Sequence, residues 1–302
     1  MNENPETTKA GYVAIIGKPN AGKSTLMNSL VGAKLSIITP KPQTTRKSVL
    51  GIYSNDTEQI VFLDTPGLIK PKYEMHSSMM RYVNEALGEA DVVIVIADTP
   101  KIGAEGDYFP PKFWDMMKKV DKPKILVLNK VDLFENKRDI LPLIARFSAL
   151  GSFDEVVPLS ALKSDNTDVL LNILLKYMPE GPFFYDPELL STQPERFFVS
   201  EMIREHVFTM FEDEVPYSTE VNIVQFKERE NGKWYISADI IVERDTQKGI
   251  NIGTGGSKLK ELGTKARADI EEHLGLPVFL EIFVKVRQNW RSNRNMLKSF
   301  GY

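Results

Sequence analysis

The sequence predicts an α/β protein in which a doubly wound, mainly parallel sheet is followed by a smaller α+β module. Three observations indicate this order. Apolar runs of strand length alternate with helical segments from Tyr12 to Met178. A proline-rich stretch, 179–194, then interrupts the pattern. Beyond it, a helical segment precedes two alternating strands and a glycine-rich loop. We therefore expect domains at 1–178 and 195–302, joined by a linker.

Most of the predicted strands of the first domain are continuous apolar runs, as expected for a sheet buried on both faces. These strands are Tyr12–Ile16, Lys47–Tyr53, Glu58–Asp64, Asp91–Ala97, Lys124–Asn129 and Glu155–Ser160. The helical patterns that follow them are Lys23–Val31, Tyr73–Leu87, Gly106–Lys119, Lys137–Ala149 and Asp165–Met178. In this arrangement the ligand-binding loops lie at the carboxyl ends of the strands.

The octapeptide after the first strand matches GxxxxGKS, a loop whose backbone N–H groups bind the phosphates of a nucleoside triphosphate. The loop consists of Gly17, Lys18, Pro19, Asn20, Ala21, Gly22, Lys23 and Ser24. Its glycines let the backbone approach phosphate closely. Lys23 supplies positive charge toward the β- and γ-phosphates, and the Ser24 hydroxyl can bind Mg²⁺. The chain is therefore predicted to bind a nucleotide.

The fifth strand ends in Asn129-Lys130-Val131-Asp132, which predicts that the base is guanine. An aspartate at the end of this motif can accept hydrogen bonds from guanine N1–H and from the 2-amino group. Adenine offers neither donor and would leave the buried carboxylate unpaired, so such a site discriminates by about 10⁴–10⁵-fold. Asn129 would connect the base to the phosphate loop, and the Lys130 stem would cover the ring.

Two further strand ends contribute to the predicted site. Asp64-Thr65-Pro66-Gly67 follows the third strand, where a carboxylate suits coordination of Mg²⁺ through water. The backbone N–H of Gly67 can turn toward a γ-phosphate and lose that bond after hydrolysis, which makes the segment a switch. Backbone N–H groups after the sixth strand would complete the guanine site, and they belong to Ser160, Ala161 and Leu162.

Composition excludes several classes of function. A length of 302 residues, 26% of them charged and 42% hydrophobic, fits an ordinary soluble protein of about two domains. Without cysteine the chain has no disulfide, thiolate metal site or cysteine nucleophile, and it fits a reducing cytosol. We expect no secretory signal in the polar segment Met1–Ala10 and no membrane span, since the longest aliphatic run is Val92–Ala97. The histidines are too scattered to form a metal site.

The second domain has the element order of a type II KH module. A predicted helix, Arg196–Phe211, precedes strands Thr219–Lys227 and Lys233–Glu243, which flank a turn at Glu230-Asn231-Gly232. A final helix and strand follow at Ser257–Leu274 and Val278–Val286. Between the helices lies a GxxG loop formed by Gly253, Thr254, Gly255 and Gly256. In KH modules this loop binds the backbone of about four single-stranded nucleotides.

Basic residues gather near this loop and in the tail, although the net charge of the chain is −3. Six basic residues stand against two acidic ones in 244–267, and five against none in 282–302. Such a patch predicts an RNA-binding face, with Lys258, Lys260, Arg287 and Arg291 as candidates beside the loop. The alternative is an ordinary solvated surface. Trp290 is equally compatible with stacking on a base and with a place in the core.

Taken together, these motifs resemble the family of bacterial Era GTPases. The segment Pro42-Gln43-Thr44-Thr45-Arg46 adds to the resemblance, which extends from about Gly11 to Tyr302. It implies a monomeric cytoplasmic protein that binds the 3′ end of 16S ribosomal RNA and assists assembly and maturation of the small (30S) ribosomal subunit. It also allows peripheral association with the cytoplasmic face of the inner membrane.

The resemblance further assigns roles in hydrolysis of GTP to GDP. Thr45 would bind Mg²⁺ together with Ser24 and Asp64, with Thr44 as the competing candidate. Members of the family often carry a basic residue within GxxG, where this chain has Thr254 and Gly255. That departure would weaken the contact with phosphate, and the lysines that follow would compensate.

The residue after the Asp64–Gly67 motif is Leu68, which cannot orient an attacking water as glutamine does in many GTPases. We expect slow turnover that depends on Lys23, Thr45, Gly67 and Mg²⁺. One hypothesis adds K⁺, bound by the Asn20 side chain in place of an arginine finger, as in K⁺-stimulated relatives. The alternative is that Asn20 only caps the loop. A second class of function also stays open, in which the chain is an RNA-binding or membrane-associated regulator with GTP as a structural ligand.

Overall fold

A computed structural model gives the fold and describes residues 7–103, 108–229 and 233–302. The chain divides into two compact units. The first unit comprises the chain up to residue 36 together with 45–70 and 79–192, and the second comprises 37–44, 71–78 and 193–302. Within the described ranges, no helix combines the length and the apolarity that a bilayer span requires.

The first unit contains a six-stranded sheet. Its strands, in chain order, are β1 (Lys9–Gly17), β2 (Val49–Ser54), β3 (Glu58–Asp64), β4 (Val92–Asp98), β5 (Lys124–Asn129) and β6 (Glu155–Leu159). The spatial order is β2-β3-β1-β4-β5-β6, with β2 antiparallel to β3 and every other pair parallel. The strand order therefore reverses at β1, which has β3 on one side and β4 on the other. Doubly wound sheets bind their ligands at such a point.

Helices cover this sheet and bury its apolar strands. They are α1 (Lys23–Val31), α2 (Glu74–Glu89), α3 (Pro111–Met117), α4 (Leu141–Ala149) and α5 (Thr167–Tyr177). Every residue of β4 is buried, as a central strand with both faces covered requires. One core cluster joins the inward side chains of β4 and β5 with Phe109, Phe113 and Phe147.

The second unit contains a three-stranded sheet with helices. Its elements are α6 (Glu195–Met210), β7 (Glu220–Glu228), β8 (Trp234–Val242), α7 (Asp245–Ile252), α8 (Ser257–Leu274), β9 (Val278–Val286) and α9 (Arg294–Ser299). Strand β8 is central, antiparallel to β7 and parallel to β9. Every residue of β8 from Ile236 to Val242 is buried, and Val199, Ile203 and Leu262 of the helices are buried as well.

The predicted fold class is confirmed, and the strand and helix assignments hold to within a few residues at most ends. The predicted helix Gly106–Lys119 is shorter, since α3 begins at Pro111, and its first two residues lie outside the described ranges. The predicted turn at Glu230-Asn231-Gly232 also lies outside them.

The segment predicted to be a linker is ordered against the first unit as far as Thr192. Its backbone continues the sheet interactions, because the N–H of Ile52 donates to the carbonyl of Leu190 at 2.8 Å. The ring of Phe184 stacks on Tyr12 at 4.9 Å between centroids. Hydrogen bonds and ring packing therefore hold the residues up to Thr192 against the first unit.

Candidate nucleotide site and RNA groove

The loops predicted to bind nucleotide meet at one edge of the six-stranded sheet. Parallel register brings the strand ends together, because Ile15 pairs with Asp64, Gly17 with Ile96 and Asn129 with Leu159. The phosphate loop, the Asp64 motif, the base-reading motif and the segment after β6 therefore emerge side by side. The sequence-predicted residues of the first unit thus share one site.

Backbone geometry explains both glycines of the phosphate loop. A side chain on Gly17 would bring its Cβ to 2.4 Å from the carbonyl oxygen of Ile96. Gly22 has φ of 101°, in the left-handed region, and a Cβ there would lie 2.2 Å from Nδ2 of Asn129. Helix α1 begins at the next residue, so its free N–H groups point into the loop that would hold the phosphates.

Lys23 is buried, and its ammonium group is held inside the loop. Its Nζ donates to the carbonyl oxygen of Gly17 at 3.4 Å and to that of Lys18 at 3.2 Å. Burial lowers the pKa of Lys23 to about 8, and the charge of Asp64 acts in the opposite direction. Burial likewise raises the pKa of Asp64, against the charge of Lys23 and two hydroxyl donors.

Oxygen atoms suited to Mg²⁺ lie beside Lys23. The Ser24 hydroxyl donates to Oδ2 of Asp64 at 2.7 Å, and it lies 2.7 Å from Oγ1 of Thr45. Among the described residues, Oδ1 of Asp64 is buried and has no hydrogen-bond partner. Hydroxyl and carboxylate oxygens with an unpaired carboxylate oxygen fit a hard divalent cation. Thr44, the competing candidate, instead bonds to Thr39 at 2.7 Å and to the carbonyl of Lys41 at 2.8 Å.

A second hydroxyl, which no motif indicated, also contacts Asp64. Ser36 is buried and donates to Oδ2 of Asp64 at 3.0 Å. Asn28 of α1 holds the Ser36 backbone, accepting from its N–H at 3.0 Å and donating to its carbonyl at 2.7 Å. Because Ser24 and Ser36 both occupy Oδ2, the free oxygen of Asp64 is Oδ1. No sequence signal marked Ser36, since its role depends on the path of the chain after α1.

The base-reading loop is braced against the phosphate loop. Nδ2 of Asn129 donates to the carbonyl of Ala21 at 2.8 Å, and Oδ1 of Asn129 accepts from the N–H of Ala161 at 3.0 Å. Oδ1 of Asp132 accepts from the hydroxyl of Ser160 at 2.6 Å. These two hydrogen bonds give Asn129 the position that its predicted connecting role requires. Asp132 itself is exposed, contrary to the buried carboxylate expected, because it follows the sheet edge rather than entering the core.

The Asp64 motif crosses the phosphate loop closely. The N–H of Leu68 donates to the carbonyl of Gly17 at 2.9 Å, and a Cβ on Gly67 would lie 2.8 Å from Pro19. Thr65 is anchored below, donating to the carbonyl of Ile15 at 2.7 Å. Only glycine fits where the Asp64 motif passes Pro19 of the phosphate loop. The Gly67 backbone therefore lies beside the loop that would hold the γ-phosphate.

In the second unit, the GxxG loop connects α7 and α8 with the backbone conformation that glycine permits. Gly253, Gly255 and Gly256 all have positive φ, and Thr254 is exposed between them. Lys258 and Lys260 follow on the first turn of α8 and are exposed. A groove of about 430 Å³ lies beside the loop, and its lining combines apolar and basic side chains: Leu259, Leu280, Ile282, Lys260 and Arg267.

Two residues considered for the RNA face have partners within the second unit. Arg291 is half-buried and forms an ion pair with Glu243, so its charge is already neutralised within the unit. Trp290 is fully buried and its Nε1 donates to the carbonyl of Ser218 at 3.0 Å, which identifies it as a core residue rather than a base-stacking one. Arg287 remains exposed. Sequence reasoning placed all three by proximity in the chain, and tertiary partners decide between them.

These observations define a P-loop protein with a guanine-type base loop, followed by a KH module. Family models agree: one described as 50S ribosome-binding GTPase matches residues 12–130, and a KH domain model matches 214–291. GTPase Era of Clostridioides difficile (strain 630) is 42% identical over 295 residues, covering 97% of this chain and 98% of the relative. The chain belongs to the Era family of GTPases.

Solved structures of the family agree over the same length. Era crystallised with MgGDPNP and nucleotides 1506–1542 of 16S ribosomal RNA has a TM-score of 0.91 at 40% identity, covering 98% of this chain and 99% of that one. A tyrosine-to-alanine variant of Aquifex aeolicus Era bound to GDP and AlF₄⁻ gives the same TM-score, identity and coverage. The resemblance drawn from the motifs is confirmed.

Proposed function

We propose that this chain is a GTP-hydrolysing switch whose KH module binds the 3′ end of 16S ribosomal RNA during small-subunit assembly and maturation. One observation carries the proposal: a complete guanine-nucleotide site and a GxxG groove occur in a single chain. The relative crystallised with MgGDPNP and 16S ribosomal RNA supports both halves of it. Single-stranded RNA would lie in the groove beside Lys260, with the exposed Lys258 and Arg287 contacting phosphates.

For nucleotide binding, we assign each residue by its position. Lys23 and the N–H groups of the phosphate loop bind the phosphates, and the base lies between the Lys130 stem and the carboxylate of Asp132. Ser24, Thr45 and Asp64 would hold Mg²⁺, which supplies neutralisation of charge on the β- and γ-phosphates. The fit rests on the unpaired Oδ1 of Asp64.

Hydrolysis would be slow. Leu68 has an apolar side chain, so no side chain at this position can orient the attacking water. Stabilisation of the developing charge falls to Lys23, to backbone N–H groups, including that of Gly67, and to cations. A K⁺ ion on the Asn20 side chain remains our proposal for the missing charge. The Asn20 backbone already has positive φ, and its carbonyl accepts from Nζ of Lys130 at 2.8 Å.

The second candidate function treats GTP as a structural ligand of an RNA-binding or membrane-associated regulator. Affinity for a 16S 3′-end RNA, measured with GTP, GDP and no nucleotide, separates the two. A switch requires affinities that differ among the three states by more than the error of the titration. Equal affinities would reject the switch and leave the structural-ligand reading.

We propose that the protein is a cytoplasmic monomer. We further propose that it associates peripherally with the cytoplasmic face of the inner membrane. The family resemblance supports the cytoplasmic location. Flotation with anionic vesicles would test the membrane contact. Protein that stays in the soluble fraction with and without GTP would reject it.

A further inference from the structure

Asp98, the last residue of β4, belongs to none of the motifs that define the nucleotide site. Its side chain is buried, yet its Oδ2 accepts from two lysines. Nζ of Lys130 lies 2.9 Å from this oxygen, and Nζ of Lys101 lies 2.8 Å from it. The Lys130 side chain is 30% exposed and that of Lys101 is 65% exposed, so the first ion pair is the better shielded from water.

The same ammonium group of Lys130 connects two loops of the site. It donates to Oδ2 of Asp98 and also to the carbonyl of Asn20, at 2.8 Å, in the phosphate loop. Lys130 has φ of 69°, a conformation that a lysine adopts only when its surroundings fix it. Parallel register sets the position of the anchor, because Asp98 pairs with Asn129 across β4 and β5. Asp98 therefore determines where the Lys130 side chain lies.

A second route from Asp98 reaches the other side of the phosphate loop. The backbone N–H of Asp98 donates to the hydroxyl of Tyr108 at 3.0 Å. The ammonium group of Lys18 in turn lies over the ring of Tyr108, 4.2 Å from the ring centroid, in a cation–π contact. Burial raises the pKa of Tyr108 to about 12, so the hydroxyl stays neutral at physiological pH. Lys18 and Asn20, which flank Pro19, are thus both connected to the end of β4.

We propose that Asp98 is a positioning residue for guanine-nucleotide binding: it holds Lys130 against Asn20 and Tyr108 beneath Lys18, and so fixes the phosphate loop relative to the base-reading loop. Asp98 itself touches neither base nor phosphate in this arrangement. Its contribution is preorganisation of two loops that bind opposite ends of one ligand. The proposal rests on guanine-nucleotide binding at this site.

Asp98→Asn removes the charge while keeping the shape of the side chain. A hydrogen bond to a charged partner contributes enough that its loss weakens binding about tenfold. We expect the Kd for GDP and the KM for GTP to rise by about that factor, with kcat within about twofold of the unmodified protein. Binding that is lost equally from the ground state and the transition state raises KM alone. A purely structural defect would reduce the active fraction and hence kcat.

A double-mutant cycle identifies the partner. Lys130→Met should weaken GDP binding at least as much as Asp98→Asn, and the double variant should be no weaker than Lys130→Met alone, because both changes break one contact. Lys101→Met is the matched control, since it removes the exposed lysine from the same oxygen, and it should leave the Kd within about twofold. The double variant leaves no buried charge unpaired, since Lys101 is 65% exposed, so it keeps the test open if Asp98→Asn fails to fold.

Three results would overturn the role of Asp98: a Kd for Asp98→Asn within twofold of the unmodified protein, additive losses in the cycle, or a Lys101→Met variant as weak as Asp98→Asn. Failure of the unmodified protein to bind GDP would instead refute the proposed function. The same titration therefore distinguishes the two failures.

Discussion

Nucleotide affinity should fall with rising pH because Lys23 must be charged to bind phosphate. Its pKa of about 8 in the protein without nucleotide comes from burial. A bound polyphosphate places negative charge beside the ammonium group and raises that pKa, so binding takes up a proton above pH 8. Lys23 is about 90% protonated at pH 7 and about 10% at pH 9. We therefore expect the affinity for GDP to fall about tenfold between pH 7 and pH 9.

Isothermal titration of GDP at pH 7, 8 and 9, in buffers of different ionisation enthalpy, measures both the affinity and the proton uptake. Lys23→Arg is the control, because a guanidinium stays charged over this range and the guanine base titrates equally in both proteins. The affinity of this variant for GDP should be weaker and should change with pH only as far as titration of the guanine base changes it. Equal slopes in the two proteins, or an affinity for the unmodified protein that rises with pH, would refute the assignment of this pKa to Lys23.

Three further predictions follow from the structure. Ser36→Ala should remove one of the two hydroxyl donors that hold Oδ2 of Asp64 and so raise the Mg²⁺ concentration needed for half-maximal GDP retention several-fold, as an Mg²⁺ titration of GDP release would show; an unchanged midpoint would exclude Ser36 from the metal site. Lys258→Ala combined with Lys260→Ala should weaken RNA binding and reduce the salt slope by about 1.4, since each phosphate contact with a single strand contributes about 0.7; an unchanged slope in filter binding would move the RNA face elsewhere. If Asn20 holds K⁺, GTP turnover should be faster in KCl than in NaCl, and equal rates would reject that ion.

The sequence predicted those parts of the site in which the local backbone geometry or the chemistry of the ligand requires a particular residue type. The phosphate loop needs glycine where φ is positive and where backbone crosses backbone, so Gly17 and Gly22 mark it without tertiary information. Strands such as Lys124–Asn129 were predicted to the residue because a sheet buried on both faces leaves long apolar runs. The order of the motifs then fixed the class of protein.

The parts that the sequence could not give depend on partners distant in the chain. Ser36 reaches Asp64 only because Asn28 turns the segment after α1, and Asp98 meets Lys130 only through the register of β4 with β5. Arg291 was counted among the RNA-binding residues by its charge, and only the fold shows that Glu243 pairs with it. Single charges and hydroxyls carry no periodicity, so their partners must come from the fold.

The most direct test of the account compares GTP with ATP in a calorimetric titration of the purified protein, with Mg²⁺ present. Asp132 is held by Ser160 at the end of the base loop, where it can accept from N1–H and the 2-amino group of guanine. The account predicts that GTP binds and that ATP binds at least about 10³-fold more weakly. Comparable affinities for the two nucleotides would contradict it.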